Sequence, residues 1–252
     1  MKIFIGLLIF CWLIIVFLGY GYVHKPFLPE EFIGVLAAIW RTITAVMLLS
    51  LAGGIGMSTR LREWNIAPLT KSMLACALGM GIISIFILII GTTIGINLSL
   101  WLFLVTAFII FRKNIFLWGA SFRDLQNFWL DTGKTGRIAI LLISAILALQ
   151  YLEALAPPLQ FDALTYHLSI PKAYIQLGRI AYLPDIIFWG MPQNIEMLNT
   201  LVMYLGGSEA APVLGWWIGM LALIGITDFT KNIFEKEAAW VTAASLMAGS
   251  GL

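Results

Sequence analysis

SMLACALGMGIISIFILIIGTTIGINLSLWLFLVTAFIIF, residues 72–111, runs for 40 residues without a charged side chain. As one helix rising about 1.5 Å per residue it would be about 60 Å long, twice the ~30 Å hydrocarbon thickness of a bilayer. The stretch must fold back on itself. Gly91 to Asn97 (GTTIGIN) carries the glycines and polar groups that a hairpin needs. Two membrane spans therefore flank residues 91–97, and the fold class follows from them.

Composition agrees along the whole length. The chain has 252 residues, 61% of them hydrophobic and 11% charged. Soluble domains are about 25% charged, so this chain cannot cover a water-facing surface. The net charge of +2 gives no case for nucleic acid as a partner. Cys11 and Cys76 both lie in apolar runs and read as small buried side chains.

Upstream of the hairpin, Lys2 precedes 21 uncharged residues, Ile3 to Val23. That run is longer than the apolar region of a cleavable signal peptide, about 7–15 residues, and reads as a retained first span. Phe32 to Met57 forms a second span with Arg41 inside it. A mid-membrane arginine costs about 2.5–3.5 kcal/mol. Arg41 therefore either snorkels to an interface or faces a polar cavity or an anionic headgroup.

Downstream, Arg112 to Arg137 is the most basic connector. Trp118, Phe122, Leu125 and Trp129 repeat in it at helical spacing, which predicts a helix lying in the interface plane. Span five is Ile138 to Ala156 and span six Ala210 to Thr227, and a seventh begins at Ala238. The expectation is an all-α, polytopic transmembrane bundle of about seven spans, with interfacial helices in a long outer loop at 157–208. Residues 1–137 form an N-terminal transmembrane region and 138–252 a second region, whose C-terminal remainder is expected to lie beyond Leu252.

With the N-terminus placed in the cytoplasm, eleven lysines and arginines fall inside and Lys25, Lys172 and Arg179 fall outside. This positive-inside bias predicts a multi-pass protein of the plasma (inner) membrane, with the loop 157–208 on its outer, periplasmic face. No Walker-type or GxGxxG loop is present to bind a cytoplasmic nucleotide.

The outer loop gathers the chain's polar chemistry. Pro157 and Pro158 end span five, and Asp162 precedes the helix-forming run ALTYHLSI. Asp162 reads as a helix N-cap, as a general base for an acceptor hydroxyl, or as both. Tyr166 lies four residues on and shares its helix face; His167 is turned about 100° away. No second ligand stands at helical spacing from His167, so no zinc motif is formed. Pro171 and Gly178 bracket a short helix with Lys172 near its start and Arg179 past its end, as snorkelling cations or a phosphate clamp. Asn194 to Leu205 reads as a short amphipathic helix lying along the membrane, with Glu196 near its N-terminus. Asp185, in a turn after Pro184, is the weakest candidate.

The pattern PP-x-x-x-D-A-L-x-Y-H-L-x-x-P-K-x-Y, followed by P-Q-x-x-E-M-L, resembles the GT-C class of membrane glycosyltransferases. That class includes the protein O-mannosyltransferases, and the likeness is closest to the RgtA/B/C/D-like group. It covers about Ala156 to Thr227. The resemblance implies inverting transfer of a sugar from a polyprenyl-phosphate carrier to a glycan, lipid or protein hydroxyl. By the resemblance Asp162 would be the general base, Lys172 and Arg179 by their loop position would hold the carrier phosphate, and Glu196 would position the acceptor or support the loop; Tyr166 and His167 complete the set of substrate-binding candidates. Many relatives carry two adjacent acids here, whereas Asp162 is followed by Ala163, so no metal site is implied. A transporter or flippase for a lipid-linked or anionic solute is the first alternative, and a non-catalytic membrane scaffold the second.

Overall fold

The computed structural model describes residues 11–16, 18–19, 29–125, 133–234 and 236–249. Among them every regular element is helical. The long helices are α1 (Pro29–Met57), α2 (Pro68–Thr93), α3 (Leu98–Ala120), α4 (Lys134–Ala154) and α7 (Ala210–Ile233). Three shorter ones, α5 (Ser169–Leu177), α6 (Asn194–Gly206) and α8 (Lys236–Gly249), complete the set. Five helices are long and apolar enough to cross a membrane, the stretches being Phe32–Met57, Pro68–Thr93, Leu98–Arg123, Gly136–Ala154 and Ala210–Ile233. The chain is an all-α helical bundle.

The expected first span lies largely outside the described residues, although 11–16 and 18–19 are helical. The expected seventh is α8, whose apolar part is Ala238–Met247. At about 1.5 Å per residue it is too short to cross the hydrocarbon alone.

The chain divides into two compact units, Met1–Trp40 and Arg41–Leu252, the boundary falling inside α1. In the first unit Trp12, Phe32 and Ile33 expose most of their surface. The second unit holds the core.

Small residues set that core. A Cβ added to Gly56 would overlap the Ala75 carbonyl, and one added to Gly79 would overlap that of Ala52. The backbones of α1 and α2 thus touch at two places one turn apart, running antiparallel. Without a hydrophobic drive between helices in lipid, such close approach is what packs them. Gly53 makes room for the Trp118 indole, whose Nε1–H donates to the Ser72 carbonyl at 3.0 Å.

The basic connector therefore differs from the expected interfacial helix. Arg112 to Ala120 continues α3 as one helix, and Trp118 is buried in the bundle instead of facing an interface. An indole with both a packing slot and a buried carbonyl acceptor is better placed inside than at a headgroup. Trp129 lies outside the described residues.

The lower end of the bundle, where α1 ends and α2 begins, is closed by Asp228. Its carboxylate on α7 accepts the Thr70 N–H and O–H, each at 3.0 Å. Thr70 stands in the first turn of α2, which has no side-chain cap of its own. A carboxylate from another helix thus meets the positive end of the α2 dipole.

At the opposite end, the α2–α3 turn meets the segment after α5. Ile96 N–H donates to the Gly178 carbonyl at 2.6 Å and Ile180 N–H to that of Gly91 at 2.9 Å. Gly95 (φ +112°) and Gly178 (φ +66°) hold left-handed backbone there. The α2–α3 hairpin therefore turns where the sequence predicts, on the same end as residues 157–193.

Candidate functional site

Two features bend the chain between Gln160 and Leu177. Leu168 N–H bonds back to the Ala163 carbonyl, so Ala163–His167 makes one wide π-type turn before α5 begins. Pro171 explains this. In a regular α-helix its ring would press on the His167 carbonyl and leave that carbonyl without an N–H donor. The wide turn relieves the contact, and Asn199 Nδ2 donates to the freed His167 oxygen at 3.3 Å. π-bulges of this kind often mark functional positions.

Asp162 lies in helical backbone (φ −64°, ψ −38°) and makes no capping hydrogen bond. The expected N-cap is therefore absent, because a cap needs extended backbone at that residue. Its carboxylate is exposed. Leu159, Phe161 and Leu164 around it are also exposed, at 84%, 77% and 54%. An acid on a turn rimmed by bare hydrocarbon suits a membrane surface.

His167 and Glu196 come together. Nδ1 of His167 lies 2.7 Å from Oε1 of Glu196, across 29 residues of sequence. Glu196 is 3% exposed, whereas the His167 side chain keeps 38% of its surface. Oε2 of Glu196 is buried with no hydrogen-bond partner. Leaving such an oxygen unsatisfied costs about 1–3 kcal/mol, more if it is charged. The tilted Tyr166 ring lies 4.0 Å from the His167 ring, and Phe188 lies 5.1 Å beyond Tyr166.

Glu196 is held by α6, and α6 is placed differently from the expectation. Glu196 to Met203 are all buried, so no side of this stretch lies along a membrane surface. Ser84 Oγ, in the middle of α2, donates to the Asn194 carbonyl at 3.0 Å. Ser84 lies nine residues before the end of α2, so α6 starts about 13 Å below that end. Backbone that enters so deep is tolerated where protein buries it, and here α2, α5 and α7 all pack against α6.

A second network, not foreseen from the sequence, fixes residues 187–193. Trp189 Nε1–H donates to the Tyr174 hydroxyl, and that hydroxyl donates to Gln193 Oε1, both at 2.7 Å. Gln193 Nε2 returns to the Trp189 carbonyl. Tyr174 is fully buried. Burial pushes its hydroxyl above the ordinary tyrosine range, and the nearby Glu196 charge adds to this, against the two hydrogen bonds. The periodicity of α5 marks Tyr174 as a core residue but gives no sign of its polar partners.

The remaining candidates stay apart. Lys172 and Arg179 are exposed on and just past α5, and neither forms an ion pair among the described residues. Arg179 follows Gly178 in a Schellman-type end, its N–H donating to the Tyr174 carbonyl at 3.2 Å. Asp185 is exposed in a turn. Among the described residues no group of three or more His, Cys, Asp or Glu could hold a metal ion.

Arg41 has a partner as well. Its Nη2 lies 3.1 Å from Glu209 Oε2, in the turn between α6 and α7, and its Nε donates to the Gly206 carbonyl at 3.4 Å. The α1–α2 register set by Gly56 and Gly79 carries Arg41 to the level of Ile90, near the end of α2. The arginine thus reaches the bundle end.

Compared with protein-family models, with curated proteins and with solved structures, the chain matches none.

Proposed function

We propose that the chain is a membrane glycosyltransferase region. It would transfer a sugar from a polyprenyl-phosphate carrier to an acceptor hydroxyl at the outer face of the plasma membrane. The observation that carries this reading is the state of Asp162: exposed, free of any capping role, and ringed by exposed apolar side chains. The acceptor O–H gives its proton to Asp162 while its oxygen attacks the anomeric carbon. The carbon–oxygen bond to phosphate breaks, and its electron pair leaves with the lipid phosphate. Phosphate is a fair leaving group, so no acid is needed to protonate it. Lys172 and Arg179, exposed and without ion-pair partners among the described residues, supply positive charge to the phosphate. The bare side chains of Leu159, Phe161 and Ile187 offer apolar surface to the polyprenyl tail.

The transporter alternative gains nothing from the spans. Arg41 is paired with Glu209 and Asp228 accepts from Thr70, so each has a structural partner.

The test is transfer of labelled sugar from a polyprenyl-phosphate donor by the protein in lipid nanodiscs, with native membrane extract as acceptor. The double variant Lys172→Gln/Arg179→Gln is expected to raise the donor KM about tenfold, equivalent to ~1.4 kcal/mol of binding. An unchanged KM would remove the phosphate clamp from the account.

A further inference from the structure

We propose that Tyr166, His167 and Phe188 form a sugar subsite, in which Nε2 of His167 accepts a hydrogen bond from a hydroxyl of an uncharged sugar ring. The choice of a sugar as ligand rests on the transfer reading above. The geometry of the subsite does not.

An ionised carboxylate only accepts hydrogen bonds, and Glu196 has one partner for its two oxygens, Nδ1 of His167 at 2.7 Å. Facing an ionised Glu196, Nδ1 is the ring nitrogen that must carry a proton, and the hydrogen bond made by one ring nitrogen fixes the state of the other. With Nδ1 protonated, the neutral form of the ring carries its lone pair on Nε2, and that is the form the proposal assigns. Glu196 is 3% exposed and the His167 side chain keeps 38% of its surface, and Nε2 lies across the ring from the nitrogen that Glu196 holds. The backbone behind it is held on both strands of the pairing. Asn199 bonds the His167 carbonyl, Thr200 Oγ1 donates to the Glu196 carbonyl at 2.7 Å, and Ser84 holds Asn194. A ring fixed at one nitrogen and open at the other is a positioned acceptor, not packing.

The neighbours choose the ligand class. A phosphate is disfavoured by a nitrogen that accepts, since an ionised phosphate oxygen and the Nε2 lone pair both lack a proton to share. A metal ion is disfavoured too, because one imidazole and one carboxylate fall short of a ligand set. What remains is a hydroxyl donor. Two aromatic rings adjoin the imidazole, Tyr166 at 4.0 Å from it and Phe188 at 5.1 Å from Tyr166. A sugar presents both features at once: hydroxyls on its rim and C–H groups on its face. Glu196 acts through His167 and is a positioning residue.

The test uses the full chain in nanodiscs with His24→Asn, which leaves His167 as the sole histidine, and 15N-labelled histidine. The expected spectrum has the proton on Nδ1 and an unprotonated Nε2. Glu196→Ala should release this preference, and Glu196→Gln, whose amide oxygen still accepts, should keep it. Neutral methyl glycosides of several hexoses and pentoses are then titrated one by one. At least one should move the Nε2 signal saturably, and Tyr166→Ala should weaken that binding at least tenfold. Inorganic phosphate should leave the signal in place. A proton on Nε2 in the parent overturns the proposal, as does a response to phosphate alone or silence towards every glycoside. Glycoside binding without any sugar transfer would keep the subsite and sink the transfer reading; transfer without glycoside contact at His167 would do the reverse.

Discussion

Arg41 and Asp228 are answered by partners more than 150 residues away in sequence, Glu209 and Thr70. Each pairing ties one helix to a distant part of the bundle, so each should matter to stability more than to chemistry. Arg41→Ala should destabilise the protein by about 1–2 kcal/mol; a fifth to a quarter of each side chain remains open, which weakens the pair relative to a fully buried one. Glu209→Ala on top of it should add less than its own separate effect, with a coupling of at least ~0.5 kcal/mol in a double-mutant cycle read by thermal melt. Simple additivity would mean that the ion pair contributes nothing. The sequence shows that Arg41 needs a reason but not what supplies it, because a long-range contact leaves no local pattern. The His167–Glu196 pair is hidden in the same way. Both residues stand out as polar in an apolar chain, yet it is the packing of α5 and α6 on each other that accompanies their approach to 2.7 Å.

At the scale of the elements, the glycines of α2 separate by what faces them. Gly79 lies against the Ala52 carbonyl, while a Cβ on Gly81 would meet nothing within 4 Å. Gly79→Ala should therefore lower stability by more than ~2 kcal/mol through forced separation of α1 and α2. Gly81→Ala should be neutral or stabilising by up to ~1 kcal/mol from helix propensity. Equal melts for the two variants would contradict the close crossing. Hydropathy and length place α2, α3 and their turn with no further information, because an uncharged run of 40 residues has only one way to fit a bilayer. The same reasoning misplaces Trp118 and α6. Helical spacing reveals an apolar face but does not say whether lipid or protein covers it. For Trp118 the deciding fact is a slot at Gly53, and for α6 it is burial from Glu196 to Met203.

For the molecule as a whole, the ends of the bundle differ in chemistry. Arg60, Arg62 and Lys71 belong to the end that Asp228 closes. Asp162, Lys172, Arg179 and Asp185 belong to the segment that meets the α2–α3 turn. If the latter is the outer face, a cysteine at Asp185 in a background lacking Cys11 and Cys76 should react with an impermeant maleimide on intact cells. A cysteine at Glu63 should react only after the membrane is opened. The reverse pattern would invert the orientation and exclude an outer-face reaction. Five apolar helices make the chain a membrane protein on physical grounds alone, whereas the chemistry at its polar end rests on a handful of side chains. Among these Asp162 bears the central claim. The most direct measurement compares sugar transfer by the parent protein and by Asp162→Asn, in lipid, with a thermal melt of each. Asparagine is nearly isosteric and the native carboxylate makes no capping bond, so the two melts should agree. The account predicts that transfer falls by at least a hundredfold, the lower range for loss of a general base. Equal transfer by both proteins would contradict it.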